Sequence, residues 1–281
     1  VRKVNDIISA KISELPSLPT VVVELLNSFD NPDIDTASLA KKIALDQSLV
    51  AKTLRLANSP FYGLAGRVSS INDAIVILGF RAVRSLVTAT AIAGTFSRLT
   101  GSGFDHTIFW RHSTRVAIAA RIIARQIDCN PESAFTAALL HDIGRLLLAF
   151  CFPLEYAAAL AYRQQHDCPL IDAEREVLGI DHAAAGEQLA QQWHFPQSIR
   201  AAIAGHHAPE TINAETLAGV VHIANVLVHS LGLENDSHEM VPPINATVWQ
   251  RFNFDPAMLV DLLAQIDRAT KDDDLAATLV S

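Results

Sequence analysis

The chain has 281 residues, half of them hydrophobic but only 6% aromatic, with 22 basic and 30 acidic residues for a formal net charge of −8. That balance argues against a general phosphate-backbone surface, and so against general nucleic-acid binding, although a local basic patch remains open. Three cysteines, Cys129, Cys151 and Cys168, are odd in number and lack a C-x-x-C spacing, so neither a disulfide framework nor a thiolate zinc site is expected, and a reducing cytoplasm fits best.

The apolar residues are mostly Ala, Leu, Ile and Val rather than the Tyr, Trp and Thr that favour strands, which predicts an all-α fold. The opening VRKVNDIISAKISELP is too interrupted by charge to be a secretory signal, and the absence of an initiator methionine suggests a fragment or a trimmed chain. Val22, Leu25, Leu26 and Phe29 mark the apolar face of a helix over 19–29, ended by Asn31-Pro32-Asp33. Asp35 or Thr36 caps a second helix carrying Leu39 and Ile43, and a third starts at about Gln47 and stops before Asn58-Ser59-Pro60. The most apolar long stretch, Ala74 to Phe96, holds Arg81 and Arg84 near its middle; it is read as two core helices meeting at Gly79, with no membrane insertion.

Thr100-Gly101-Ser102-Gly103 is the best linker in the chain. It divides an N-terminal helical subdomain (1–100) from a second helical domain (101–281) that holds all eleven histidines, from His106 to His238. Asp105 caps the next helix, Asn130-Pro131-Glu132 starts one running from Ala134 to Phe150, and later helices are read over about 153–165, 182–193, 196–205, 214–231 and 256–269.

Within the 134–150 segment, LLHDIGR places His141 and Asp142 side by side among apolar residues. A buried carboxylate needs hydrogen bonds, a cation or both, and Gly144 leaves room for a close approach. His112, His182, His206 and His207 offer imidazoles from other helices or helix ends. Neutral imidazoles with a carboxylate suit Zn, Fe, Ni or Mn, and suit Mg alone less well. His166, His194 and His238 are assigned no role.

Taken together, LPSLPTVVVELL, DQSLVAKTLRLANSPFYG, VSSINDAIVILGFRAV, FWRHS, ALLHDIGRLLL, GIDHAAAGEQLAQQWHFP and AIAGHH resemble the HDOD family, a bacterial signalling branch of the HD superfamily related to the HD-GYP phosphodiesterases. The resemblance covers nearly the whole chain and implies a multi-helix HD-type bundle. In catalytic relatives, positions matching His112, His141 and Asp142 are metal ligands, and a later aspartate completes the site. Here the matching segment, VVHIANVLV, offers Asn225, a neutral and weaker ligand. The resemblance also implies that His182, His206 and His207 hold additional metal, while a GYP element is not evident. Asp142 is the only clear carboxylate in this set, so two divalent ions would need hydroxide or phosphate to balance them. Arg145 reads equally as a phosphate contact or a solvated helix residue. His222 reads as a structural hydrogen-bonding group ahead of a replacement ligand. The expected function is a signalling or regulatory module with a degenerate HD pocket for metal or a small phosphorylated ligand, working with a signalling protein partner. The alternative is a phosphohydrolase in which Asp142 helps hold a metal hydroxide that attacks a phosphate ester. A homodimer through the apolar N-terminal helices is also open.

Overall fold

The computed structural model describes residues 2–28, 35–64, 66–97, 104–211, 216–232, 240–271 and 275–280. Helices account for all regular structure among the described residues. α1 (Arg2–Glu14) was not anticipated from the sequence; it is seated by Ile8 and Ile12, one turn apart and both buried. α2 (Thr20–Asn27) buries Val22, Leu25 and Leu26 as expected. The predicted end of its apolar face at Phe29, the Asn31-Pro32-Asp33 break and the 100–103 linker lie outside the described residues.

Local capping sets the next starts. The Asp35 carboxylate accepts the Ser38 N–H at 3.0 Å and opens α3 (Thr36–Ile43), and Asp46 does the same for Leu49 at the head of α4 (Gln47–Ala57). Ser70 caps α5 (Ile71–Leu78), and Gly79, at φ 84°, turns the chain into α6 (Phe80–Ser97). The long α7 (His106–Gln126), capped by Asp105, runs through the core against α8 (Pro131–Leu140).

The expected continuous helix over 134–150 is instead two. It begins at Pro131, pauses at His141-Asp142 and resumes as α9 (Ile143–Cys151). The interruption has no proline or glycine at its centre. Its cause is the Asp142 backbone, whose φ −97° and ψ 11° leave the helical region, with Arg145 N–H closing a tighter turn onto the Asp142 carbonyl at 2.8 Å. His141 and Asp142 therefore sit at the junction of the two helices.

Then follow α10 (Pro153–His166), α11 (Leu170–Leu178), α12 (His182–Gln192), α13 (Gln197–Gly205), α14 (Thr216–Ser230), α15 (Ala246–Phe252), α16 (Pro256–Lys271) and α17 (Leu275–Val280). Of these, α11, α15 and α17 were not read from the sequence. One apolar cluster runs from Ile8 to Leu279, with α17 packed on α4, α6 and α7. The stretch Pro131–Cys151 is long and apolar enough to cross a membrane by composition, but 83% of its most apolar window is buried within the bundle.

α9 and α12 meet backbone to backbone. A Cβ on Gly144 would stand 1.9 Å from the His182 carbonyl oxygen and 2.7 Å from the Gly186 nitrogen, and one on Gly186 would stand 3.1 Å from the Gly144 nitrogen. Only glycine at 144 allows this contact, which brings the start of α12 beside His141 and Asp142.

Candidate metal centre

Asp142 is the hub. Its Oδ1 lies 3.3 Å from His182 Nε2, 3.4 Å from His206 Nε2 and 3.5 Å from His141 Nε2, while Oδ2 lies 3.9 Å from His112 Nε2 and accepts a 3.0 Å hydrogen bond from Arg145 Nη1. These side chains come from α7, the junction of α8 and α9, the first turn of α9, the start of α12 and the end of α13. His112, His141, Asp142, His182 and His206 are all buried. Burial alone would raise the pKa of Asp142, but a protonated His182 and the Arg145 guanidinium beside it outweigh burial and hold the carboxyl well below its usual range, so it is an anion.

The other ring nitrogens decide which way the imidazoles face. A carbonyl oxygen can only accept, so His141 Nδ1–H donates to Ala138 O at 2.6 Å and His206 Nδ1–H donates to Ile203 O at 2.8 Å. His182 Nδ1 contacts Glu174 Oε2 at 2.6 Å, and the same oxygen accepts the His182 backbone N–H at 2.8 Å. As neutral rings, all three turn a bare Nε2 lone pair toward Asp142. His141 Nε2 has no hydrogen-bond partner.

Acceptors gathered this closely repel one another unless a proton or a cation lies among them. Burial disfavours a charged His182, yet Glu174 and Asp142 more than offset that and raise its pKa, so one proton there can relieve part of the repulsion. A cation can relieve all of it. The three atoms Asp142 Oδ1, His182 Nε2 and His206 Nε2 form a triangle with sides of 3.3, 3.4 and 3.3 Å. Ligands held about 2.0–2.1 Å from zinc in a tetrahedron are separated by roughly 3.3–3.4 Å, so the triangle has the dimensions of one tetrahedral face. Burial keeps His141 well below its ordinary pKa, with Asp142 only partly opposing, and burial with the nearby His206 and His182 does the same for His207. Both are neutral, as ligands must be.

Two groups can thus hold an ion. His112, His141 and Asp142 each place a ligand atom within 4.8 Å of the others, and so do His182, His206 and His207. His207 Nε2 reaches His182 Nε2 at 2.9 Å, and Asp142 joins the two groups. The nitrogen-rich donor set fits Zn, Fe, Mn or Ni.

Two carboxylate relationships were missed in the sequence. Glu174, on α11, is fully buried and keeps Oε1 without a hydrogen-bond partner, so the site contains a second carboxylate beyond Asp142. It lies in the charged string DAERE, where nothing local separates an inward glutamate from a solvated one. Arg145, read as either a phosphate contact or a solvated residue, is half-buried and bridges Asp142 to the Tyr156 hydroxyl at 3.3 Å.

The remaining candidates divide clearly. Asn225, on α14, is buried with Oδ1 lacking a partner, one turn before His229, whose ring centre lies 4.8 Å from that of His112. His222 spends both nitrogens on structure: Nδ1–H donates to His206 O at 2.8 Å, and Nε2 accepts the Asn245 N–H at 2.9 Å. His166 is exposed and stacks on Tyr162, His194 occupies an exposed turn, and His238 lies outside the described residues.

Comparison with known proteins places these features in context. Residues 15–209 match the HDOD domain family. A provisionally named phosphohydrolase from Shewanella amazonensis is 30% identical with a TM-score of 0.70, over 97% of this chain and 93% of that one. A provisionally named signal transduction protein from Marinobacter aquaeolei shares the fold at 22% identity, with a TM-score of 0.82 over 99% of this chain and 66% of that one. An uncharacterized protein of Treponema pallidum is 24% identical over 241 residues, 84% of this chain; the chain spans only 46% of that relative.

Proposed function

The chain belongs to the HDOD family, and we propose that it serves there as a bacterial, cytoplasmic signalling or regulatory module whose His/Asp pocket takes up a divalent transition metal and, through it, a phosphorylated ligand. One observation carries this: the buried triangle of Asp142 Oδ1, His182 Nε2 and His206 Nε2, with edges of 3.3–3.4 Å and its imidazoles fixed to face inward, His206 by the Ile203 carbonyl and His182 by the Glu174 carboxylate. Such a set is costly to keep unless it binds something positive. His182, His206, His207 and Asp142 would hold one ion, and His112 and His141 a second beside it. A divalent cation in this place lowers the pKa of water and draws charge from a phosphoryl oxygen.

A second reading, a phosphohydrolase, is favoured by the layout of two ligand groups joined through one carboxylate. Against it stands Asn225, which supplies an amide where a turnover site needs charge to balance two cations, while Arg145 already occupies Asp142 Oδ2. Elemental analysis of protein purified without chelator, paired with a screen of phosphomonoesters and cyclic dinucleotides, tests both. We expect bound transition metal and little turnover. A protein that takes up no metal even when it is supplied defeats both readings, and metal-dependent turnover lost in Asp142→Ala establishes the second.

A further inference from the structure

A cleft of about 500 Å³ runs between α11, α12 and α13, with His207 at one end and Gln197 at the other. The contacts fix its order. His182 at the start of α12 touches His207 beyond the end of α13, and Glu187 farther along α12 pairs with Arg200, so the two helices are antiparallel walls. The nine residues of α13, Gln197–Gly205, and the short step to His207 give it a length of roughly 15 Å. The cleft therefore begins at the candidate metal centre and leads away from it.

Each end carries a guanidinium pinned by a carboxylate. Near His207, Arg175 Nε donates to Asp181 at 2.7 Å; at the far end, Arg200 Nε donates to Glu187 at 3.1 Å. Those pairings cancel the charge, so the cleft is nearly neutral overall and ill suited to a polyanion. They also fix the planes of the guanidinium groups, which keep further N–H donors and a flat face for stacking. Gln188 and Gln197 add amides that both donate and accept, and alanines line the walls. Neutral, flat and amide-edged, the far end suits a planar heterocycle; the near end, between Arg175 and His207, suits one phosphate.

Building on the metal reading above, we propose that this cleft binds a nucleoside monophosphate or a phosphate ester of the same size, with its phosphate at the His207 end and its base between Arg200 and Gln197. The volume lies within the usual range for small-molecule sites.

The test is calorimetric titration of the full chain, loaded with Mn²⁺, with the four 5′-ribonucleoside monophosphates, inorganic phosphate, ribose 5-phosphate and a 12-residue RNA. We expect at least one nucleotide to bind tenfold or more tightly than phosphate or ribose 5-phosphate, and more tightly than the RNA. Arg200→Ala should weaken that nucleotide about tenfold while leaving phosphate unchanged. Ala184→Trp, at an exposed position on the cleft wall, should block the nucleotide without changing Mn²⁺ content or the thermal unfolding midpoint. Wild-type chain that takes up neither Mn²⁺ nor, offered in its place, Zn²⁺, Fe²⁺ or Ni²⁺ overturns the metal reading, and this one with it. Chain that takes up Mn²⁺ but prefers phosphate or RNA, or whose cleft variants bind the nucleotide as wild type does, overturns this proposal alone.

Discussion

Replacing Glu174 by Gln keeps the shape of a fully buried side chain and removes its charge. In the wild type, Glu174 Oε2 accepts both the His182 ring N–H at 2.6 Å and the His182 backbone N–H at 2.8 Å. The amide oxygen of Gln can accept the same two bonds, but as a weaker, neutral acceptor it no longer raises the basicity of Nε2. Loss of such an outer partner lowers metal affinity by about 10–100-fold, or about 1.4–2.7 kcal/mol. Glu174→Ala should behave differently. It strands two buried donors at about 1–3 kcal/mol each, so the metal-free fold itself should lose roughly 2–6 kcal/mol. Chelator-competition titration gives the metal affinity, and chemical denaturation of metal-free protein gives the stability. The expected signature is a large affinity loss in Glu174→Gln with stability within about 1 kcal/mol of wild type. Unchanged affinity in Glu174→Gln, or affinity and stability falling in step in both variants, refutes a role for Glu174 in positioning His182.

Three further outcomes follow from the same geometry. Gly144→Ala forces a methyl to within 1.9 Å of the His182 carbonyl oxygen, so α9 and α12 must part; denaturant melts should show a loss of about 3 kcal/mol or more, with metal uptake falling too. Asn225→Asp adds a buried charge, so metal-free protein should melt earlier and metal should raise its midpoint by more than in wild type, read by scanning calorimetry with and without Mn²⁺. The stability of metal-free protein should fall on acidification: His141 has a folded pKa well below its unfolded 6.5, so the unfolded chain binds the extra proton below about pH 6.5, at about 1.4 kcal/mol per pH unit. His182 has the opposite sign, its raised pKa favouring the fold below pH 6.5 and losing that contribution as pH rises through the folded value. A metal-free stability that stays flat from pH 7 to pH 5 contradicts the burial of a neutral His141.

Much of the helical frame was legible because its signals act within one turn. Asp35, one of the two caps expected for its helix, and Asp105 and Asn130 all cap the helices they were expected to open. α1 escaped because its core contacts are carried by so few residues, Ile8 and Ile12, within a charged string. The break at His141-Asp142 escaped for a different reason. Apolar residues continue on both sides of it, and no proline or glycine stands at its centre to mark it. The residue types of the site were readable from their clustering in the C-terminal part of the chain, whereas the inward turn of Glu174 and the engagement of Arg145 with Asp142 depend on contacts between separate helices.

The glycine contact between α9 and α12 fixes a gauge. Because the backbones touch at Gly144 and Gly186, the separation of Asp142 from His182 cannot shrink and widens only if the two helices come apart. A pocket with adjustable walls ranks ions by charge; one with a set spacing also ranks them by radius. With edges near 3.3 Å, this one favours ions that bond at about 2.0–2.2 Å and strains those that need the 2.3–2.6 Å of calcium. On the metal reading proposed above, ion choice is thereby tied to a position that bears no donor atom in its side chain.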